Sequence, residues 1–396
     1  MEFKKSIDNT IESVKNQLFE MADSIFDNPE TSFKETYASK LLSDAFKEKG
    51  FDVKLGLGSL NTAFRAEYKQ GEGGPKIGLL CEYDALPMGH ACAHHMQGPV
   101  MLGAAQAVME AVGNKAPYSL IVYGTPAEEG GAGKVIMLQE GFMKDIDIAL
   151  MMHGGPATQV DVKSMAMQGI KLCFHGKSAH AALKPDVGRS ALDALLLTFN
   201  GIEFLREHVK EDTRMHYTVI NAGGPENVVP EIAEGKICLR SYNTNYLNEV
   251  VKRVKKIAEG ASIMTETTFD WDDDILMRRD GKIPSYMLND LIMKNAEYYK
   301  APNIKGAREK TGSTDFGAVT YIMPGTCLRM SFVDDGTSSH SQEFLNDGKT
   351  ERGHNAIVFA AKILAAATAE LILDPQKVQA IQEEFKQTKE KITKEA

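Results

Sequence analysis

Hydrophobic positions along this chain follow two rhythms. The N-terminal stretch MEFKKSIDNTIESVKNQLFEM and the residues after it place Ile7, Ile11, Val14, Leu18, Met21 and Ile25 at helical spacing, with charges between them. That pattern predicts an amphipathic helix. Further on, the segments shorten. LNTAFRAEY and KIGLLCEYD predict strands, the second nearly all apolar and so buried on both faces. VMLGAAQAVMEAV predicts a helix rich in small residues. YSLIVYGTP predicts a strand, KVIMLQEGFM a helix and DIALMMHGG another strand. Alternation of this kind predicts an α/β sheet with helices on both faces. In such sheets ligands gather beyond the C-terminal ends of the strands.

The texture changes near residue 168. QGIKLCFHGK predicts a strand, and SALDALLLTFNGIEFL an amphipathic helix through Leu192, Leu195, Leu196, Phe199 and Ile202. MHYTVINAGG and GKICLRSYNT predict strands. LNEVVKRVKKIAEG predicts a helix through Leu247, Val250, Val251, Val254 and Ile257, and TETTFDWD a closing strand. The order β-α-β-β-α-β is the ferredoxin-like pattern. Near residue 280 helix–strand–helix resumes and ends at AIVFAAKILAAATAELIL. The expected organisation is a domain of residues 1–167 and 279–396, interrupted by an inserted α+β domain at 168–278. The tail QEEFKQTKEKITKEA is expected to be a frayed or solvated helix.

Composition narrows the classes. The chain has 396 residues, 25% charged and 43% hydrophobic, the profile of a soluble globular protein of one large or two ordinary domains. Net charge is −9 and no basic patch stands out, so no nucleic-acid partner is expected. KRVKK at 252–256 sits on a helical pattern that also carries acids, a solvated face. No apolar run approaches the roughly 18 to 20 residues of a membrane span, and the N-terminal stretch is no secretion signal. No membrane partner is expected. Cysteines at 81, 92, 173, 238 and 327 form no disulfide framework, and the expected location is a reducing cytoplasm.

One short stretch, GHACAHHMQG, packs His90, Cys92, His94 and His95 into six positions. Each residue type ligates transition metals, and a Cys–His pair also serves as nucleophile and base. The expected strand ends add more donors. CEYDALP places Glu82 and Asp84, TPAEEGGAGK places Glu128 and Glu129, MMHGG places His153, and SSHSQEF places His340 in a loop. One tetrahedral metal takes four protein ligands, or three and water. Five or six ligands suit two metals about 3.5–4 Å apart. Taken singly, each residue has a plainer role as a turn, helix start or core histidine. Their convergence at strand ends is what points to a site.

In order, CEYDALP, GHACAHH, PAEEGGAGK, HGG, GKSAHAA, NVVP, LR, STDFG and HS resemble the M20 family of metal-dependent peptidases and amidohydrolases across about residues 5–370. The similarity is to its aminoacylase-like and aminobenzoyl-glutamate-hydrolase-like branch. The resemblance implies a mixed-sheet, zinc-peptidase-like catalytic domain with an inserted ferredoxin-like lid and dimerisation domain. It implies two divalent ions per chain, Zn2+ first, with Mn2+ or Co2+ also compatible. The implied ligands are Cys92 (bridging), His94, Glu129, His153 and His340. Glu128 is the implied general base and Asp84 the carboxylate that orients a ligand histidine. Glu82 takes the place of a ligand histidine in other members. His180 of GKSAHAA is implied to stabilise the tetrahedral intermediate, usually across a dimer. Asn227 and Arg240 are implied to hold the substrate, and Gly312, Ser313 and the residues up to Asp315 to line it.

The implied activity is hydrolysis of an amide in an N-acyl-amino acid or small peptide. The implied assembly is a homodimer through the lid, or a tetramer. A dipeptidase or aminopeptidase of the same family, a non-catalytic relative and a thiol enzyme built on Cys92 are the alternatives. Two positions depart from the pattern: His95 stands where relatives carry Asp or Asn, and Ala93 where Gly is common. His95 is then a donor behind the ligands, an extra ligand or neither, and His90 a packing residue.

Overall fold

The computed structural model describes residues 2–395. The chain resolves into two compact units, Met1–Ser164 with Lys282–Lys391, and Met165–Gly281 with Ile392–Ala396.

The first unit opens with α1 (Glu2–Asp27), α2 (Thr36–Glu48), β1 (Asp52–Leu57), β2 (Leu60–Gln70), β3 (Lys76–Cys81), α3 (Gln97–Val112), β4 (Tyr118–Gly124), α4 (Gly133–Gln139), β5 (Ile148–Gly155) and β6 (Gln159–Ser164). The second unit follows with β7 (Ala166–His175), α5 (Ala191–Arg206), β8 (Arg214–Asn221), β9 (Ile232–Ser241), α6 (Thr244–Thr265) and β10 (Thr268–Arg279). The chain then returns to the first unit through α7 (Tyr286–Tyr298), β11 (Arg308–Thr311), α8 (Phe316–Ile322), β12 (Gly325–Ser331), α9 (Gln342–Asp347), α10 (Glu351–Leu373) and α11 (Pro375–Lys394).

The first unit is built on an eight-stranded mixed sheet in the order β1-β2-β4-β3-β5-β12-β6-β11. Its centre, β4-β3-β5-β12, is parallel. These strands are buried on both faces, as their continuous apolar sequences require. Alternate residues feed different cores. Ile77, Leu79, Val122, Leu150 and Leu328 face the large core with α1, α3 and α10. Leu80, Ile121, Tyr123, Met151 and Cys327 face a smaller core that includes Met137 of α4 and Phe316 and Val319 of α8.

Contrary to the expectation that no apolar run reaches membrane-span length, α10 is long and apolar enough to cross a membrane, yet 78% of its apolar window is buried inside the fold. The charged tail is a continuous helix, α11, which buries Val378, Ile381 and Phe385. It holds this conformation because one apolar stripe packs while the charges stay outside. Strands β1, β6 and β11 and helices α2, α8 and α9 are additional to the expected elements. β6 (QVDVKS) and β11 (REKT) are short and polar, and pairing with a neighbouring strand makes them strands.

The second unit is a four-stranded antiparallel sheet, order β10-β7-β9-β8, with α5 and α6 packed on it. Ile170, Leu172 and Phe174 of β7 and Ile237 and Leu239 of β9 meet Leu195, Phe199, Val250 and Val254 of the helices. β8 is an edge strand and leaves Tyr217, Val219 and Ile220 exposed.

Candidate metal centre

Three parallel strands deliver the site. After β3 the chain presents Glu82 and Asp84, then folds through a loop into a 3-10 turn at His94–Met96 that leads into α3. Ala93, between Cys92 and His94, has φ 62° and ψ 25°, a left-handed conformation that costs a non-glycine residue about 1–2 kcal/mol. After β4, the loop carrying Glu128 and Glu129 has positive φ at Ala127 and Ala132. Gly133 closes it so tightly that a Cβ there would lie 1.9 Å from the carbonyl oxygen of Pro126. His153 stands near the end of β5. His340, at φ 66°, is tied to the first loop by its backbone N–H, which donates to the Ala91 carbonyl at 3.0 Å. Strained backbone concentrated in this way is characteristic of sites where geometry outranks stability.

These loops bring five donors together. Ligand atoms of Cys92, His94 and His153 all lie within 4.8 Å of one another, as do those of Cys92, Glu129 and His340. Cys92 Sγ belongs to both groups. It lies 3.2 Å from His340 Nε2 and 3.9 Å from His153 Nε2. His340 Nε2 lies 3.3 Å from Glu129 Oε1. Cys92, His94 and His153 are buried. Among the described residues, His94 Nε2 and Glu129 Oε1 are buried atoms without a hydrogen bond, although Glu82 Oε2 stands 3.2 Å from the former and His340 Nε2 3.3 Å from the latter.

The ring nitrogens facing away are occupied. His94 Nδ1 meets the Asp84 carbonyl at 3.0 Å and Asp84 Oδ1 at 3.1 Å. His153 Nδ1 meets the Gly154 carbonyl at 2.8 Å. Such contacts fix tautomer and ring direction and leave Nε2 for a metal. Asp84 Oδ2 also accepts the Glu129 backbone N–H at 2.9 Å.

Electrostatics agree with a cation site. Burial, with Arg329 nearby, holds His153 well below the ordinary histidine value, so the ring is neutral. Burial pushes the Cys92 thiol up to about 12. A nucleophilic cysteine works from a lowered value, whereas a metal deprotonates a coordinating thiol outright. Glu128 is pushed up to about 8 by burial and by the neighbouring carboxylates of Glu82 and Asp315.

Beside these donors lies a fully buried lysine, the last residue of PAEEGGAGK, to which the motif assigned no role. Lys134 Nζ donates to Glu82 Oε1 and to Asp315 Oδ1, each at 2.6 Å. Gln97 Nε2 donates to Glu82 Oε2 at 2.7 Å. Burial opposes these charges, yet Asp315 and Glu82 raise the lysine while Lys134 and His94 lower Glu82. Ligand atoms of Glu82, Glu128 and Asp315 form a further group within 4.8 Å. Glu35 is also buried and equally unmarked. Its Oε1 accepts from the Ala127 N–H at 2.9 Å and so pins the loop of Glu128. A lone Lys in the first turn of a helix and a Glu before a helix carry no sequence sign of burial.

The remaining expected residues fall as follows. Gly312 and Ser313 lie between β11 and α8, just before Asp315. His180, Asn227 and Arg240 belong to the second unit. There His180 bridges to Val228, and the Ala181 N–H donates to the Asn227 carbonyl at 3.0 Å. His180 Nδ1 accepts from the N–H of Ala182 and Leu183. Arg240 lies on β9, its buried Nε without a hydrogen bond among the described residues. His95 is in none of the donor groups. Its Nε2 meets the Gly348 carbonyl at 3.0 Å and its ring packs edge-on against Phe26. His90 is buried beside the same phenyl ring.

Residues 164–263 match the model of the peptidase dimerisation domain of the M20 peptidases. Over its whole length the chain is similar to a p-aminobenzoyl-glutamate hydrolase chain of Escherichia coli (strain K12), 32% identical, with 98% of this chain and 95% of that protein covered. The chain belongs to the M20 family. Another relative is the mouse (Mus musculus) Xaa-Arg dipeptidase, 28% identical over 97% of this chain and 92% of that protein. The fold matches a dinuclear metal-binding M20 peptidase from Bacillus subtilis, with TM-score 0.71, 19% identity and coverage of 91% and 99%. It also matches an aminobenzoyl-glutamate utilization protein from Klebsiella pneumoniae, with TM-score 0.71, 19% identity and coverage of 92% and 98%. This M20 chain is thus a metallo-amidohydrolase or peptidase that hydrolyses amide bonds, with an eight-stranded catalytic unit and a four-stranded dimerisation unit.

Proposed function

We propose that this M20 enzyme hydrolyses the amide of an N-acyl-amino acid or small peptide at a centre of two divalent ions. The observation that carries the reading is the pair of three-donor groups sharing Cys92. The donors fit: a sulfur, three imidazoles and a carboxylate suit Zn2+, with Mn2+ or Co2+ compatible. The buried atoms His94 Nε2 and Glu129 Oε1, without hydrogen bonds among the described residues, fit a cation as well. Cys92, His94 and His153 would hold one ion, and Cys92, Glu129 and His340 the other. When bound, such ions polarise a carbonyl and acidify water.

In this reading Glu128 holds the proton taken from water and returns it to the leaving amine. Asp84 orients His94. His180 meets the developing oxyanion, and Asn227, Arg240, Gly312 and Ser313 hold the substrate. The dimerisation domain supports a homodimer. The proposed setting is the cytoplasm, where the free thiols stay reduced.

Dipeptide cleavage is the second reading, favoured by likeness to the mouse dipeptidase. The test is metal content by mass spectrometry, paired with hydrolysis of N-acetyl-amino acids and dipeptides with and without EDTA. About two ions per chain and EDTA-sensitive cleavage are expected. The panel separates the two substrate classes. No cleavage after supplying Zn2+, Mn2+ or Co2+ would leave a non-catalytic relative.

A further inference from the structure

Beside His153, one flank of the large sheet carries buried charges that the proposed centre does not use. His153 on β5 stands opposite Arg329 on β12 in parallel register. Next across the sheet, Asp161 on β6 stands opposite Arg308 on β11. Partners on neighbouring strands share a face, and that face is otherwise apolar around Met151 and Cys327.

The Asp161 carboxylate accepts from Arg308 Nε on Oδ1 at 2.8 Å and from Arg329 Nε on Oδ2 at 2.9 Å. Lys282 Nζ donates to the Asp161 backbone carbonyl at 2.5 Å. Two guanidiniums thus meet one buried carboxylate, and a buried lysine caps the carbonyl of the same residue, in a chain whose net charge is −9. Burial lowers Lys282 to about 8, with Asp161 opposing the shift and Arg329 adding a smaller part to it. One carboxylate is balanced by one arginine, so a second buried guanidinium costs desolvation without need. Arg329 is 16% exposed, and its one hydrogen bond among the described residues is the Nε contact. The Nη donors are left over, on a rigid strand, in register with His153.

We propose that Arg329 is a specificity-determining residue that binds a carboxylate of the amide substrate beside His153, so that the enzyme selects anionic amides. This rests on the reading of His153 as part of the hydrolytic centre. A guanidinium held by Asp161 presents a planar fork that a carboxylate fits and a neutral carboxamide does not. The resemblance assigns substrate binding to Arg240 of the second unit, whereas Arg329 belongs to the unit that bears the donor groups.

The test uses the full-length, metal-loaded protein and two matched ligands, N-acetyl-leucine and N-acetyl-leucinamide. Acetate release gives kcat/KM, and calorimetry gives affinity. Arg329→Met is expected to lower kcat/KM and affinity for the carboxylate by about 10- to 100-fold, the loss felt mainly in KM, and to leave the carboxamide unchanged. Arg329→Lys, which keeps a cation beside Asp161, is expected to lose less and carries the test if Arg329→Met misfolds. Equal losses on both ligands, or none, would overturn the proposal. If the parent protein hydrolyses neither ligand, N-acetyl-leucine falls out of its substrate class, a result separate from the role of Arg329. The calorimetric preference for the carboxylate, and its loss in the variants, then still decides the role of Arg329.

Discussion

Asp84 Oδ1 lies 3.1 Å from His94 Nδ1, which leaves the other ring nitrogen for the Cys92–His153 group. The second oxygen of the same carboxylate accepts the Glu129 N–H. One side chain therefore holds a member of each donor group. Asp84→Asn keeps the volume and loses the charge. It is expected to weaken metal retention by about 10- to 100-fold, measured by competition with a chelator. Unchanged retention would remove the orienting role.

Glu128 stands beside Glu129 in the loop after β4, within 4.8 Å of His94. Glu128→Gln is expected to reduce turnover by about 100- to 10,000-fold while both ions stay bound. Rate and metal content measured on one preparation separate the two effects. Near-parental turnover would exclude Glu128 as the base.

Lys134 has no exposed side-chain surface and lies between two carboxylates. Lys134→Met would leave Glu82 and Asp315 buried without their cation. The expected cost is about 3–5 kcal/mol, read as a lower urea midpoint. Adding Glu82→Gln should recover part of it. A single variant as stable as the parent would mean that water reaches the cluster.

Asp161 supplies a pH signature remote from the loops of the metal donors. Burial opposes its ionisation, yet Arg329 and Arg308 hold it at about 2, below the ordinary 3.8. Between these values the unfolded chain binds the proton and the folded one does not. The contribution is therefore complete above about pH 4 and is lost as pH falls through about 2. The gap corresponds to about 2 kcal/mol. Asp161→Asn should be less stable than the parent at pH 6, with the difference closing as pH falls from 4 toward 2. A difference constant with pH would rule out the ion pairs as its source.

β8 is an edge strand with Val219 41% exposed and Ile220 54% exposed. Such an edge invites pairing with a second copy. Thr218→Pro is expected to convert a dimer to a monomer in sedimentation velocity and, with His180 acting across the dimer, to abolish turnover while the ions remain. An active monomer would place His180 in the chemistry of its own protomer or outside it.

The central strands were legible because burial on both faces writes itself as unbroken apolar sequence, as in KIGLLC and YSLIVYG. The second unit was legible because its helices and strands keep distinct periods. β6 and β11 were not, since QVDVKS and REKT become strands only by pairing. The donors Cys92, His94, Glu129, His153 and His340 stood out as metal-ligating types at strand ends and in one loop, and the structure brings them together. Lys134 did not stand out, because its burial arises from Glu82 and Asp315, 52 and 181 residues away in sequence. The row His153–Arg329–Asp161–Arg308 was hidden for the same reason: its members come from four strands whose adjacency no local pattern encodes.

The strained Ala93 has a consequence for how such chains diverge. A Cβ added at Gly154 would lie 2.6 Å from the Ala93 methyl and 2.7 Å from the Phe332 ring. The methyl is thus one of two walls that keep position 154 bare, directly after His153. Glycine at 93 would both relieve the left-handed backbone and take down one wall. Positions 93 and 154 are therefore expected to drift as a pair across descendants of this sequence. A side chain can be accepted at 154 only after 93 and 332 have made room, so the order of those changes is fixed by sterics alone.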